Sequence, residues 1–258
     1  MLDKTQEPDM ERRFGGVARL YGAAGLARFQ MAHVCVIGIG GVGSWVAEAM
    51  ARNAIGRITL IDLDNIAESN VNRQLHAVEG EFGKAKVTAM AERIRAINPA
   101  CQVHEIEDFI TVENVDVMLN RGFDGVVDAI DDARVKAALA AFCSSNKLSL
   151  VMTGAAGGRL DPTRINCADL ATTSGDRLLA KVRTSLRRDY GFPGGAKAKF
   201  DIPCIYSDEA VIKPEQSCDS TVNVLAGLNC AGYGSSVCVT AAFGMAAAAT
   251  MLSLVLKV

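Results

Sequence analysis

The sequence lacks the cysteine pattern of a zinc knuckle or a disulfide scaffold. Its eight cysteines are scattered along 258 residues, and no two of them have the Cys-x-x-Cys spacing. Structural zinc sites and redox motifs depend on paired cysteines of that kind. The pattern therefore predicts reduced thiols and a cytoplasmic protein.

Strong charge of either sign is also missing. The formal net charge is −2, so binding to a nucleic acid would depend on a local positive patch. The first eleven residues are polar and have no apolar run, which argues against a signal peptide and predicts a loosely attached end.

One long stretch, residues 220–256, contains no charged residue. Its last part, residues 237–256, is about long enough to cross a bilayer. Small residues dominate this part, so a buried or dimer-interface helix is the favoured interpretation. A membrane anchor is the alternative.

A nucleotide-binding pattern occupies residues 34–62. An apolar run rich in β-branched residues, 34–37, is typical of a buried parallel strand. Gly38, Gly40 and Gly43 follow at G-x-G-x-x-G spacing, then a helix-compatible segment and a second strand at 57–61 that ends on Asp62. Glycines at this spacing let the chain turn tightly and approach a phosphate, and a carboxylate at that distance commonly binds ribose hydroxyls.

Polar side chains follow the second and later strands, where ligands bind in open α/β sheets. Asp64, Asn70 and Arg73 follow the strand at 57–61, and Lys86 falls in the first turn of a helix predicted over 83–97. A cation at a positive helix end is more natural beside a phosphate. Asp131 and Asp132 end a strand predicted at 124–130, where a carboxylate could hold Mg²⁺ or cap the next helix.

The remaining pattern predicts an α/β protein with a Rossmann-like, doubly wound, mainly parallel sheet and a C-terminal extension. Further strands are expected at 101–107, 148–153, 163–170 and 201–212, with a short helix at 115–119. We divide the chain into an N-terminal arm and helix (1–30), a nucleotide-binding domain (31–158) and a substrate-binding and dimerisation extension (159–258). The three parts are expected to form one continuous globular unit.

Residues 177–199 are strongly basic. They contain one aspartate and seven cations, namely Arg177, Lys181, Arg183, Arg187, Arg188, Lys197 and Lys199. A solvated helix face and a contact with a polyanion, most simply RNA backbone, explain this stripe equally well. The segment after residue 10 also carries arginines, and it is either a solvated amphipathic helix or an arm that brings an arginine to phosphate.

Taken in order, the motifs G-I-G-G-V-G-S, L-I-D-L-D, N-V-N-R-Q, G-K-x-K and D-A-I-D-D resemble adenylating enzymes similar to ubiquitin-activating enzymes. The resemblance implies ATP rather than NAD as the nucleotide. It implies that Gly41 and its neighbours cradle ATP and that Asp62 binds the ribose. Arg73 and Lys86 would hold phosphates, Asp131 would organise Mg²⁺, and Arg13 would reach the ATP of the other subunit of a homodimer.

The segments R-F-G-G-V-A-R-L-Y-G, M-T-G-A-A-G-G-R-x-D-P-T-R-I, D-L-A-x-T-x-x-D-x-L and N-C-A-G-Y-G-S are similar to those of bacterial tRNA threonylcarbamoyladenosine dehydratases. This resemblance spans nearly the whole chain. It implies that the substrate is tRNA carrying threonylcarbamoyladenosine, with no role for DNA. A monovalent cation and a cysteine desulfurase or sulfur-acceptor system are further candidates as cofactor and partner.

Two alternatives remain open at this point. The chain could activate a small sulfur-carrier protein by adenylation, or it could be a nucleotide-binding adaptor without catalysis. Analogy with the superfamily suggests a role for Cys230 as a thioester nucleophile. We favour a structural role for it, because intramolecular ring closure needs no nucleophilic cysteine and free cysteines are commonly buried.

Overall fold

The computed structural model describes residues 8–195, 197–212 and 233–257. A single sheet crosses this part of the chain. Its strands are β1 (His33–Ile37), β2 (Arg57–Ile61), β3 (Gln102–Ile106), β4 (Gly125–Asp128), β5 (Ser149–Thr153), β6 (Ile165–Asp169) and β7 (Pro203–Ser207).

The order of the strands is β3-β2-β1-β4-β5-β7-β6. All neighbouring strands are parallel except β6, which pairs antiparallel with β7. This confirms the predicted Rossmann-like α/β class. Because β7 pairs with β5, the sheet continues past residue 158 into the C-terminal extension. Strand order reverses between β1 and β4, and such a switch point is where open α/β sheets bind ligands.

Seven α-helices accompany the sheet in the described residues. They are α1 (Met10–Met31), α2 (Gly43–Arg52), α3 (Lys86–Ile97), α4 (Val115–Leu119), α5 (Ala133–Ser145), α6 (Arg177–Asp189) and α7 (Val237–Val255).

The helices form two layers because the central strands are buried on both faces. Along β1, Val34 and Val36 belong to the core that contains α2, α3 and α7. Cys35 and Ile37 belong to the core that contains α4, α5 and α6. The alternation follows from the two-residue repeat of a strand, and it explains why β1 is apolar throughout.

Several predicted boundaries were too wide, and tertiary hydrogen bonds explain the difference. The helix expected from residue 83 begins at Lys86, because the Gly83 N–H donates to the Ile66 carbonyl and the Ile66 N–H to the Lys84 carbonyl. The strand expected at 201–212 is limited to Pro203–Ser207. Beyond it, the Glu209 carboxylate accepts hydrogen bonds from the loop at residues 160–161 instead of continuing the sheet.

α7 is the one helix in the described residues that is long and apolar enough to cross a membrane, by length and composition. In this structure, Phe243, Ala247 and Met251 on α7 are buried in the core against the sheet. Gly244 allows close contact with α2, since a Cβ there would lie 2.6 Å from the Cβ of Trp45 and 2.7 Å from the Val42 carbonyl oxygen. α7 is therefore a core helix in this structure.

α1 begins at Met10, so its first residues extend into the segment expected to be loosely attached. The helix is interrupted at Gly22, which has a φ of 78°. Its far end is joined to α7 and the sheet by Arg28, whose Nε donates to the Val255 carbonyl (3.2 Å) and whose guanidinium lies 3.8 Å from Asp124.

Candidate functional site

A cavity of about 1250 Å³ opens at the carboxyl ends of the parallel strands. The loops that follow β1, β2, β3, β4 and β5 line it, together with Lys86, Leu178 at the start of α6, residues 233–235 and Thr240 of α7. Sites for single small ligands are typically about 300–1,000 Å³. The cavity therefore has room for a nucleotide and part of a second substrate.

The glycine turn after β1 forms the floor of the cavity. A Cβ on Gly43 would lie 1.7 Å from the Gly38 carbonyl oxygen, so only glycine fits where α2 starts. Gly38 has a φ of 82° and faces the backbone of Ala129, where a Cβ would lie 3.0 Å from the carbonyl oxygen. Val42 is the N-cap of α2 and cannot cap it with a side-chain hydrogen bond. This uncapped positive helix end faces the cavity and is suited to an anion.

Asp62 lies in the cavity wall at the end of β2, as the sequence predicts. Its Oδ2 accepts a hydrogen bond from the Ile39 N–H (2.6 Å), and its Oδ1 accepts one from the Asp64 N–H (2.9 Å). Burial raises the pKa of this carboxyl, while the Lys86 ammonium nearby lowers it. Asp62 thus holds the glycine turn against β2, and its contact with a ribose stays a prediction.

Lys86 is nearly buried, yet its main partner is exposed. Its Nζ lies 2.6 Å from Asp64 and 3.9 Å from Asp62. The side chain of Lys86 is 6% exposed and that of Asp64 is 58% exposed. An ammonium paired with a solvated carboxylate at the edge of a cavity can exchange that partner for a phosphate. Lys84, by contrast, forms surface ion pairs with Glu81 and Glu92.

Arg73 lies across the glycine turn. Its side-chain carbons are the nearest atoms to the position that a Cβ on Gly41 would occupy, at 3.2 Å and 3.3 Å. Its guanidinium donates to the Ser69 carbonyl (2.7 Å) and to Asn72 Oδ1 (2.9 Å). Its own carbonyl accepts a hydrogen bond from the indole N–H of Trp45 (3.1 Å).

Asn70 also lies in the cavity wall, where its Oδ1 accepts from the Ala67 N–H at 3.0 Å and closes the turn before Arg73.

The two acids after β4 have different roles. Asp132 caps α5, because its Oδ1 accepts from the backbone N–H of Arg134 (2.7 Å) and Val135 (3.2 Å). Asp131 is exposed and lines the cavity. Mg²⁺ is commonly held by one or two carboxylates and the phosphates of a nucleotide, and Asp131 fits that requirement. Within the described ranges, no cluster of three or more His, Cys, Asp or Glu side chains could hold a metal ion by itself.

Sequence reasoning missed a buried ion pair beneath Asp131. Asp128 and Lys136 are fully buried, and Lys136 Nζ lies 3.0 Å from Asp128 Oδ1. Burial raises the pKa of Asp128, and Lys136 opposes that shift. Lys136 Nζ and Thr153 Oγ1 also donate to the Asp128 carbonyl, which joins β4, α5 and β5. The sequence pattern that could have predicted this pair is Asp128, the first acid of D-A-I-D-D, followed by Lys136 eight residues later.

Arg13 and Arg183 do not line the cavity of this chain. The Arg13 guanidinium donates to the carbonyls of Ile97 (2.8 Å) and Ala96 (3.4 Å) at the end of α3, where a cation is favourable. Arg183 was expected on an RNA-binding surface, and that contact stays a prediction. Its Nη1 donates to the carbonyls of Leu170 and Thr173 and to Thr173 Oγ1, so it joins α6 to the preceding turn. Cys230 lies outside the described residues.

The other six cations of the basic segment are exposed. Only the part up to Asp189 is helical. Arg188 pairs with Asp189 (2.7 Å), and Arg187 lies over the ring of Phe200, 5.5 Å from its centroid. Lys181 and Arg188 line a groove of about 410 Å³ between α5 and α6, and Arg134 of α5 lies on its other side. Binding of tRNA by this surface stays a prediction.

The doubly wound sheet, the glycine turn and the cavity lined by Arg73, Lys86 and Asp131 define a nucleotide-binding α/β protein of the adenylating kind. The chain belongs to the ThiF family, whose model matches residues 15–258.

Within that family, the chain is 49% identical to the tRNA threonylcarbamoyladenosine dehydratase of Haemophilus influenzae, over 96% of this chain and 94% of the relative. It is 49% identical to the Escherichia coli protein of the same name, over 92% of this chain and 90% of that relative.

Solved structures agree with these relatives. The E. coli dehydratase in complex with ATP superposes with a TM-score of 0.88 at 46% identity, covering 97% of this chain and 96% of that one. Its complex with AMP has a TM-score of 0.87 at 46% identity, covering 97% of both chains. PaaA, at 16% identity and a TM-score of 0.60, shares the fold.

Trp45, the sole tryptophan of the sequence, should report on nucleotide binding. Its indole N–H is bonded to the carbonyl of Arg73, so movement of Arg73 onto a phosphate would change the surroundings of the indole. We expect a saturable change in intrinsic fluorescence on titration with ATP. Lys86→Ala should shift the midpoint to higher ATP concentration. An unchanged spectrum, with ATP binding demonstrated by calorimetry, would contradict this coupling.

Proposed function

We propose that this protein is an ATP-dependent dehydratase that converts N6-threonylcarbamoyladenosine in tRNA to its cyclic form. The main support is that one cavity contains a glycine turn, Arg73, Lys86 and Asp131 and still has room for a second substrate. Relatives that match nearly the full length of the chain carry the name of this activity.

The chemistry starts from a carboxylate, which is a poor electrophile. A carboxylate oxygen of the threonyl group attacks the α-phosphorus of ATP, and pyrophosphate leaves. The resulting mixed anhydride has AMP as its leaving group. The carbamoyl group of the same nucleoside then attacks the activated carbon, loses a proton, closes a five-membered ring and expels AMP. The nucleoside has lost one water, whose oxygen leaves with AMP.

The residues of the cavity can supply what the first step requires, which is positioning and neutralisation of charge. Lys86 and Arg73 are placed to hold phosphate oxygens, with the glycine turn and the start of α2 beneath them. Asp131 would hold Mg²⁺, which neutralises charge on the phosphates when bound. Phe109 and Ile110, after β3, add an apolar edge to the cavity that suits the adenine ring.

Activation of a small sulfur-carrier protein is the second candidate. It uses the same adenylating residues, and adenylyltransferases with sulfurtransferase activity match part of the chain, such as MOCS3 of Drosophila willistoni at 29% identity over 45% of this chain. The dehydratase relatives also match the C-terminal extension, which favours tRNA as the substrate. The non-catalytic adaptor is less well supported, because Arg73, Lys86 and Asp131 line one cavity.

The carrier-protein hypothesis and the tRNA hypothesis predict different products. With ATP and tRNA carrying threonylcarbamoyladenosine, we expect AMP, pyrophosphate and a nucleoside lighter by one water, measured by mass spectrometry under conditions that preserve the ring. Lys86→Ala and Arg73→Ala should each cost about 2–4 kcal/mol of transition-state stabilisation, the range for one preorganised donor. Asp131→Ala should abolish adenylation while leaving the fold intact.

Unchanged modified nucleoside, together with adenylation of a carrier protein that ends in Gly-Gly, would replace the dehydratase proposal. Binding of ATP with no release of pyrophosphate from either substrate would support the adaptor.

We also propose a homodimer in the cytoplasm, in which Arg13 acts on the ATP of the other subunit. Arg13 lies outside the cavity of its own chain in the described structure, which is compatible with action on a neighbour. A monovalent cation and a sulfur-transfer partner belong to the same proposal, as secondary candidates supported by the resemblance alone.

Complementation between two inactive variants tests this role of Arg13. If Arg13 acts in trans, purified heterodimers of an Arg13→Ala chain and a Lys86→Ala chain should contain one working site in two. Activity should therefore return to about half that of the wild type. Heterodimers verified by native mass spectrometry that remain inactive would contradict action in trans. In that case the contacts of Arg13 with α3 are the better explanation of its role.

The tRNA contact is proposed to lie on the exposed face of α6 and the segment that follows it. The protein has a net charge of −2, so this local surface must supply the attraction to phosphate. The groove formed by Lys181, Arg188 and Arg134 adds a cation from α5 to this face. Arg177, Lys181 and Arg134 place positive charge near the start of α6, on the side of the molecule where Leu178 enters the cavity.

Charge reversal tests this surface. Lys181→Glu combined with Arg188→Glu should weaken tRNA binding and reduce the dependence of affinity on salt, because fewer counterions are released. ATP affinity should not change, since neither residue lines the main cavity. Arg183→Gln is the control, because the Arg183 guanidinium is bonded within the chain. This variant should lower the thermal stability of the protein and leave the salt dependence of tRNA affinity unchanged. Equal losses of tRNA affinity in the double variant and in the Arg183→Gln control would contradict the proposed surface.

A further inference from the structure

Arg159 and Asp176 form a second buried ion pair, at the end of the cavity away from the glycine turn. The side chains are 1% and 0% exposed, and Arg159 Nη2 lies 3.2 Å from Asp176 Oδ2. Arg159 belongs to the segment G-G-R-x-D-P-T-R, and Asp176 to D-L-A-x-T-x-x-D. The adenylation chemistry uses neither residue.

The pair holds the backbone of one residue of the cavity wall, Ala155, from both sides. The Ala155 N–H donates to Asp176 Oδ2 (2.9 Å), and the Ala155 carbonyl accepts from Arg159 Nε (2.9 Å). Gly154 leaves the space that this arrangement needs, since a Cβ there would lie 2.4 Å from Asp176 Oδ2. Ala155 and its neighbours, residues 153–157, line the cavity.

The same pair fixes two other elements around this wall. Asp176 Oδ1 caps α6 by accepting from the Leu179 N–H (2.9 Å), which places Leu178 at the cavity. Arg159 Nη1 donates to the carbonyls of Ser207, the last residue of β7, and Glu209, two residues further on. One buried guanidinium and one buried carboxylate therefore determine the positions of the loop after β5, the start of α6 and the end of β7.

We propose that Arg159 and Asp176 are positioning residues for the second substrate, and that the wall they hold receives the modified nucleoside of tRNA. This inference rests on the proposed function and adds to it the part of the cavity that the nucleoside occupies.

The chemistry of the wall separates it from the ATP end. The ATP end carries Arg73 after β2, Lys86 at the start of α3 and Asp131 after β4. Around Ala155 the wall consists of residues 153–157, with the apolar Leu178 and the aromatic Tyr233 also in the lining. The charges of Arg159 and Asp176 neutralise each other behind it. Such a surface suits a flat, uncharged purine better than a phosphate.

Asp176→Asn is the informative substitution. Asparagine is as good an N-cap as aspartate, so the bond to Leu179 and the start of α6 should be retained. Its Nδ2 cannot accept from the Ala155 N–H and does not neutralise Arg159. We expect KM for modified tRNA to rise by roughly 10- to 100-fold, because a small misplacement at a reacting centre has effects of this size. The dissociation constant of ATP should stay within about twofold of wild type, since the Ala155 backbone that Asp176 holds lies at the end of the cavity away from the ATP-binding residues.

Arg159→Lys is the second variant. It keeps the positive charge beside Asp176, so the protein should fold, but one ammonium cannot reproduce all the bonds of a planar guanidinium. In this variant too, KM for modified tRNA should rise while the dissociation constant of ATP stays close to that of the wild type. Asp208→Asn is the matched control, because it disrupts an exposed Arg–Asp pair nearby, Arg164 with Asp208 at 2.9 Å. Exposed pairs contribute little to stability, and this variant should behave like wild type.

Wild type, both variants and the control are assayed together for thermal stability, ATP affinity and tRNA kinetics. A selective rise of KM for tRNA in the two variants supports the inference. Unchanged tRNA kinetics in a folded variant overturns it and leaves the proposed function in place. Parallel loss of ATP affinity and tRNA kinetics also overturns it, because that pattern indicates a purely structural pair. A wild-type protein that does not modify tRNA overturns both proposals.

Discussion

The close contact between the glycine turn and the end of β4 is the constraint on which the rest of the site depends. Gly43 has no room for a Cβ beside the Gly38 carbonyl, and Gly38 lies directly against Ala129. This contact occurs where the order of strands reverses, so the turn that can bind phosphate and the loop that carries Asp131 face one cavity. The buried pair of Asp128 and Lys136 then fixes β4 from beneath. Removing one partner of such a pair typically costs about 3–5 kcal/mol.

The two ends of the cavity differ in the charge that they present to a ligand. At the glycine turn, cations with exposed or exchangeable partners are available for phosphate, as the pairing of Lys86 with Asp64 illustrates. At the far wall, Arg159 and Asp176 neutralise each other out of contact with water, and the cavity meets residues 153–157, Leu178 and Tyr233. The first arrangement suits a polyanion, and the second suits a neutral surface of defined shape. This division agrees with a reaction that joins a nucleotide to a nucleoside.

The C-terminal helix shows how composition alone can leave an element ambiguous. Residues 237–256 meet the length and apolar character of a membrane span, and the sequence also allowed a buried helix. In the structure, α7 covers the face of the central strands that α2 and α3 leave open, and Gly244 brings it against Trp45. Trp45 in turn bonds to the carbonyl of Arg73, so this helix supports the phosphate-binding end of the cavity.

The sequence by itself determined the fold class and put Asp62, Arg73 and Asp131 after strand ends, because short-range spacing fixes strand, turn and helix. The grouping of Arg73, Lys86 and Asp131 around one nucleotide followed from the resemblance of the ordered motifs to adenylating enzymes, and the strand order with its switch point came from the structure. The sequence did not determine which cations are free to meet a ligand. Arg183 follows the same helical repeat as its neighbours, yet its guanidinium bonds to Leu170 and Thr173. The pairs Asp128–Lys136 and Arg159–Asp176 and the ends of β7 were likewise decided by tertiary structure. Buried charges pair with whatever groups folding brings near them, and those partners lie on other elements, where local spacing carries no information about them.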